Sequence, residues 1–360
     1  MGIFTSAYAL YLFSVIGSLI ISLYVVRKVL FITQERKIYD LPDDTRKIHG
    51  AKIPSLGGIG IFIAYGTIST FLAVVGGWNF IMVSSLLLFF TGIYDDLMNM
   101  SPAKKLLLQF IASFITVCFA EVQLHSLYGL FGINDMPYYL GLILTTLACT
   151  FFINVFNFAD GIDGLACGLA ILYTTVLAYL FTTISHTGVA CMAFSLLGAV
   201  LGLLYYNRAP AKIYMGDTGS MLLGFSIFTL TLLFINRYSQ HGSTSNAVHS
   251  LTGAMILMLS ILFLPIFDGV RVFIIRASKG ISPLRADRTH LHYYLLDAGC
   301  THTQAVFALL STNIAIIGVA FLLQDLNPQL ALLGMSVPAF VTLGITYGMR
   351  KKRVGSTSTI

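Results

Sequence analysis

Three short stretches set carboxylates against apolar runs or between glycines: Tyr94-Asp95-Asp96, Asp160-Gly161-Ile162-Asp163-Gly164 and Met215-Gly216-Asp217-Thr218-Gly219. The chain is 57% hydrophobic and only 10% charged, so such clustering of its few acids needs a physical reason. At the edge of a membrane that reason is metal or proton chemistry. Adjacent helical residues point about 100° apart, so Asp95 and Asp96 cannot chelate one ion as a simple pair. They divide the labour, one toward substrate and one toward a lysine or structural partner. An acidic pair at a helix C-terminus opposes the macrodipole, which makes plain helix stabilisation a poor explanation.

In the second stretch Asn154, Asn157 and Asp160 recur at a three-residue step, as do Asp160 and Asp163. A helical or turn path gathers their oxygens, and the glycines permit a tight backbone; interhelical hydrogen bonding by the asparagines is the simpler alternative. In the third, Asp217 and Thr218 stand where a helix begins. Free N–H groups there attract phosphate, and Asp217 suits a hard divalent ion, although either residue also makes a plain N-cap. A fourth region, an inner loop of about 34 residues, is long for a structureless segment. It holds Asp268, Arg271, Arg276, Lys279, Arg285, Asp287, Arg288, His290 and His292. His290 and His292 share a face on a strand and diverge on a helix. No His/Cys pair at ligand spacing completes a zinc site, so the basic set reads as contacts to phosphate and sugar hydroxyls.

The elements that must carry these residues are membrane helices. Mean hydropathy is +0.85. At about 20 residues per crossing the chain divides into about 11 spans, near 7–30, 56–75, 80–94, 105–120, 138–156, 165–183, 188–205, 219–235, 251–270, 305–323 and 329–348. No linker or soluble-sized block interrupts them, so 1–360 reads as one all-α polytopic membrane domain. Its active-site loops fall at about 31–55, 95–104, 157–164, 206–218 and 271–304. Of the 21 basic residues only Arg237 falls on the side opposite the rest. The positive-inside rule then places the N-terminus out and the C-terminus in, with every cluster above cytoplasmic. The net charge of +6 is a property of that face, suited to anionic lipid headgroups and phosphorylated substrates, with no sign of nucleic-acid binding. The first span lacks a basic n-region and is too long for a signal-peptide core, so it is expected to remain. Met1-Gly2 with Ser6 fits a myristoylation pattern that an outer terminus would put out of reach. Cys118, Cys149, Cys167, Cys191 and Cys300 have no paired spacing and read as small packing residues.

These residues resemble the polyprenyl-phosphate N-acetylhexosamine-1-phosphate transferases, most closely the bacterial undecaprenyl-phosphate GlcNAc-1-phosphate branch, with the phospho-MurNAc-pentapeptide transferases more distant. The resemblance runs from about Arg46 to about Gly299. It is carried by Arg46-Lys-Ile-His49, Ile53-Pro-Ser-Leu-Gly-Gly58, Asp95-Asp96, residues 154–168, residues 215–220 and Ser282-Pro through His292. It implies transfer of GlcNAc-1-phosphate from UDP-GlcNAc to undecaprenyl phosphate with release of UMP, the first step of lipid-linked surface-polysaccharide (O-antigen) synthesis. It implies Mg²⁺ or Mn²⁺ as cofactor, the bacterial inner membrane as location, and allows for a homodimer. By motif, Asp217 looks like the principal metal ligand with Asn157 alongside, Tyr214 the aromatic that stacks on uracil, and Lys105 the pyrophosphate contact. Asp95 and Asp96 match the pair assigned to acceptor activation. Asp160 and Asp163 match catalytic carboxylates of the nucleotide and metal region. Arg46, His49 and Asn154 fall at substrate-binding positions, and Arg288, His290 and His292 in the sugar-reading loop. Two departures stand out: Asn99 where relatives often carry a third aspartate, and Tyr293 where they commonly carry a third histidine. The second leaves another UDP-N-acetylhexosamine as the alternative donor.

Such chemistry joins two anions, so neutralising the pyrophosphate and the UMP leaving group is the main demand. An already ionised lipid phosphate needs little base; a covalent aspartyl intermediate is the competing route. A secondary transporter would place its carboxylates near the midplane on broken helices, not at one boundary. A non-catalytic lipid-binding scaffold would not explain the Gly-Asp loops.

Overall fold

A backbone passing through hydrocarbon must satisfy its own hydrogen bonds, and this chain does so with helices along most of its length. The computed structural model describes residues 6–38, 53–72, 75–120, 122–241, 245–280, 282 and 288–357. Arg46, His49, Arg285 and Asp287 lie outside the described residues. The helices are α1 (Ala7–Glu35), α2 (Gly58–Leu72), α3 (Trp78–Met98), α4 (Pro102–Phe119), α5 (Tyr138–Phe158), α6 (Leu165–Thr183), α7 (Thr187–Asn207), α8 (Gly216–His241), α9 (Leu251–Ser278), α10 (Leu291–Asp297), α11 (His302–Leu323) and α12 (Pro328–Thr357). Ten are long and apolar enough to cross a bilayer, and α2 is a shorter apolar helix of 15 residues. The protein is therefore an all-α, multi-pass membrane protein. Its apolar helices follow the order of the expected spans.

Several helix ends differ by a few residues from the sequence expectation, and two differences bear on the site. The ninth span does not stop near Asp268: α9 continues to Ser278, because Asp268 and Arg271 pair with each other one turn apart (2.7 Å) and keep their charges inside the fold. The inner loop that follows is not an open 271–304 segment, since it gives its first residues to α9 and 291–297 to α10.

α8 is the axis of the molecule. Its spanning window is wholly buried, against 28% for α1 and 22% for α12. α2, α3, α5, α6 and α9 pack around it, α1 and α7 close one side, and α11 and α12 the other. Small hydroxylated residues on its faces (Ser220, Ser226, Thr229 and Thr231) are buried among these neighbours, the composition that lets membrane helices approach closely. At the opposite end of the bundle Ser126 and Asp135 form an antiparallel bridge in the α4–α5 connection.

Candidate active site

The site is built where the C-terminus of α3, the first turn of α4, the C-terminus of α5 and the N-terminus of α8 meet. Gly92 makes this approach possible. A Cβ there would overlap the backbone of Thr218, so glycine brings the last turn of α3 onto the first turn of α8. Gly216 adopts φ +72, a region L-residues rarely occupy, and lies against the Ser55 carbonyl. The 54–58 segment is held against 214–215 as a backbone pair: Tyr214 N–H donates to the Pro54 carbonyl (2.8 Å), Gly57 N–H to the Tyr214 carbonyl (3.0 Å) and Gly58 N–H to the Met215 carbonyl (2.9 Å). That pairing fixes Tyr214 two residues before the α8 N-terminus, half-buried.

Asp95 and Asp96 diverge. Asp96 turns onto α8, accepting the N–H of Asp217 (2.8 Å) and both the N–H (3.0 Å) and hydroxyl (2.6 Å) of Thr218. Asp95 accepts the Met100 N–H (2.5 Å) with one oxygen and meets Lys105 Nζ at 2.9 Å with the other. Lys105 also reaches Asp217 Oδ2 at 2.6 Å. Asn157 Nδ2 donates to Asp217 Oδ1 and to Ser220 Oγ (2.7 Å). Each charge is badly placed for its own helix, an acid at the end of α3 and a lysine at the start of α4. Their attraction across the helix junction offsets this, and the result is one ammonium shared by two carboxylates.

The expected phosphate cradle at the α8 N-terminus does not form as free N–H groups. Asp96 takes those of residues 217 and 218. A carboxylate from another helix already occupies the anion-attracting end of α8. Burial, followed by the charges of Asp217 and Asp96, holds the Asp160 carboxyl well above the usual carboxylate range. Asp163 has other partners: it accepts the Ala211 N–H (3.1 Å) and lies 3.5 Å from His302 Nδ1, tying the α5–α6 turn to the α7–α8 connection and to α11. Asn154 sits one turn deeper than Asn157 and donates to Gln109 of α4 (2.6 Å).

The histidines are joined to this site through the α5–α6 turn. His290 is the N-cap of α10, with extended backbone. This junction, neither strand nor helix, brings the two rings parallel at 5.7 Å. His290 Nδ1 lies 2.9 Å from Asp268 Oδ2, and its ring packs 5.4 Å from that of Phe158. Asp268 is the hub, also accepting Arg271 Nη2 (2.7 Å) and the Leu291 N–H (3.1 Å). Sequence reading placed Asp268 among the acids of the inner face and in the inner-loop set, without pairing it to His290; His290 and Leu291 lie over 20 residues ahead, which spacing alone does not reveal. His292 is 2% exposed, its Nε2 set against Gly161 with no hydrogen-bond partner among the described residues. In this conformation it seats the turn, buried beside His290, which is 5% exposed. Burial, then the His290 charge, pushes its imidazole down to about 3. Arg288 pairs with Asp297 (3.1 Å) and lies over the Tyr293 ring (5.0 Å).

The donor set fits a hard divalent cation. Among the described residues no three His, Cys, Asp or Glu side chains form a closed cage. Mg²⁺ does not require one, since it is commonly held by one or two carboxylates with substrate phosphates and water completing the shell. Asp217, more exposed than Asp95 or Lys105 (28% against 10% and 15%), offers such a carboxylate.

A buried central helix whose first turn carries this carboxylate–lysine cluster stands at one end of a multi-pass membrane bundle. Residues 78–235 match the family model described as glycosyl transferase family 4. The probable undecaprenyl-phosphate N-acetylglucosaminyl 1-phosphate transferase of Bacillus subtilis is 31% identical over 271 residues, 73% of this chain and 71% of the relative. The undecaprenyl-phosphate alpha-N-acetylglucosaminyl 1-phosphate transferases of Escherichia coli K12 and Yersinia pestis are each 28% identical, covering 83% and 89% of this chain and 81% and 86% of theirs. The chain belongs to glycosyl transferase family 4.

Proposed function

We propose that the protein transfers GlcNAc-1-phosphate from UDP-GlcNAc to undecaprenyl phosphate, giving undecaprenyl-diphospho-GlcNAc and UMP, at the cytoplasmic face of a bacterial inner membrane. The observation that carries this is Lys105 held between Asp95 and Asp217. It is a cationic centre with surplus negative charge around it, suited to a diphosphate that arrives with a divalent ion. Asp217, with Asn157 fixing its carboxylate, would hold Mg²⁺ or Mn²⁺, which when bound supplies charge neutralisation at the pyrophosphate. Lys105 neutralises the phosphate that leaves as UMP. A lipid phosphate oxygen attacks the phosphorus that bears GlcNAc, and the bond from that phosphorus to the bridging oxygen breaks, the oxygen and its electron pair departing with UMP. Asp96, its oxygens engaged by three donors, holds the first turn of α8 still while this happens. Asp95 orients Lys105. Tyr214, fixed by the 54–58 pairing, supplies a ring for the uracil, and Arg288 with His290 supplies donors to the N-acetyl sugar.

The test is a panel of radiolabelled UDP-sugars with undecaprenyl phosphate and purified protein in detergent, followed by lipid-linked product and UMP. UDP-GlcNAc is expected to turn over only when lipid phosphate and a divalent cation are both present. Asp217→Asn is expected to abolish turnover with unchanged gel-filtration behaviour, since the amide keeps the shape but loses the charge. Turnover of another UDP-N-acetylhexosamine in preference would transfer the proposal to that donor. Stoichiometric UMP release without lipid would replace direct attack by a covalent route.

A further inference from the structure

Positive-inside reasoning accounts for basic residues at the end of α12 but demands nothing of their partners. Lys351 and Lys352 are exposed, as that reasoning requires. Arg350 is different. Its Nη2 lies 3.3 Å from Asp297 Oδ2, and its guanidinium sits 4.4 Å from the centroid of Tyr294. Arg353 packs its guanidinium against the open face of Gly299, where a Cβ would overlap it. These contacts all fall on α10 and the turn after it.

α10 needs such support. It has 7 residues, far below the length at which a helix holds itself in water. Its C-terminal residue Asp297 receives a guanidinium on each oxygen, Arg288 on Oδ1 and Arg350 on Oδ2. Tyr294 is contacted by two guanidinium groups, Arg271 from α9 at 5.0 Å and the same Arg350 from α12. Arg350 alone takes part in both sets. It joins the last helix of the chain to the short helix whose N-cap is His290.

We propose that Arg350 is a positioning residue, and that the basic end of α12 is a latch holding α10 so that Arg288 and His290 stand at the donor-sugar end of the site. This rests on the reading of that segment as the sugar contact. Planar guanidinium geometry matters here, because one group must lie on a ring and meet a carboxylate together.

Arg350→Ala, Arg350→Lys, Asp297→Asn and Arg350→Ala/Asp297→Asn would be compared with the full-length protein in phosphatidylcholine and in phosphatidylglycerol vesicles. Arg350→Ala is expected to raise KM for UDP-GlcNAc about 5- to 10-fold, with kcat, KM for undecaprenyl phosphate and inhibition by UMP within about twofold. Arg350→Lys should recover only part of this, and the double variant should be no worse than Arg350→Ala. A second readout needs no activity: trypsin should cut the 279–288 segment several-fold faster in Arg350→Ala than in wild type. Unchanged cleavage would overturn the latch. So would an equal loss of UMP binding, or a defect restored by phosphatidylglycerol alone, which would make the tail a lipid anchor. If wild type itself fails to turn over UDP-GlcNAc while the cleavage difference stands, the proposed function falls and the latch does not.

Discussion

One peptide bond separates Asp95 from Asp96, yet they face different helices. Asp96 accepts three donors from the first turn of α8, whereas Asp95 shares Lys105 with Asp217. Asparagine at 96 presents one acceptor oxygen and turns an amide N–H toward N–H groups it cannot bond. Leaving buried donors unmet costs about 1–3 kcal/mol each. Asp96→Asn is therefore expected to lower both the detergent melting temperature and turnover. Asp95→Asn should cut turnover while leaving melting nearly unchanged. Equal melting shifts in the two variants would show that the capping bonds do not govern the stability of this end of the bundle. The divergence of the pair was legible, because helical geometry sets adjacent side chains about 100° apart. The saturation of the α8 N-terminus was not. A sequence shows that N–H groups will be free of intrahelical partners, but not that a carboxylate from another helix will reach them.

At the scale of elements, α10 and the end of α9 were the parts least readable. Charged residues after an apolar run ordinarily mark its exit from the membrane, and Asp268 and Arg271 carried that signal. Their mutual pairing, and the bonds from Asp268 to His290 and Leu291, remove the penalty that would have ended the helix. The same packing buries His292, and this has a pH signature. With the folded imidazole held near 3 and an ordinary value of 6.5, the unfolded chain binds the extra proton between those limits. Stability should rise with pH across that window and be lost as pH falls through it. Melting temperatures of wild type and His292→Phe, measured in one detergent from pH 7 downward, should show the shallower acid slope in the variant. A slope as steep as wild type would mean that other groups dominate acid loss.

For the molecule as a whole, the order of its helices was legible because hydropathy over about 20 residues reports burial in lipid and in protein alike. The same fact hid which helix is central. α8 and α1 read equally as spans, but only the former is wrapped on all sides. Orientation rests on the split of basic residues, and it predicts reactivity. With Cys118 and Cys300 replaced by serine, a cysteine at exposed position 240 should react with an impermeant maleimide in intact cells, and one at 352 should not. The opposite pattern would move the proposed site to the other face. The seclusion of α8 has a mechanical corollary. Asp217 rides on a span whose window is wholly buried among the described residues, so thinning or thickening of the bilayer should not tilt it directly. Strain from the lipid reaches it only after passing through the helices packed around α8, and the reacting groups are cushioned from the very solvent that delivers one of their substrates.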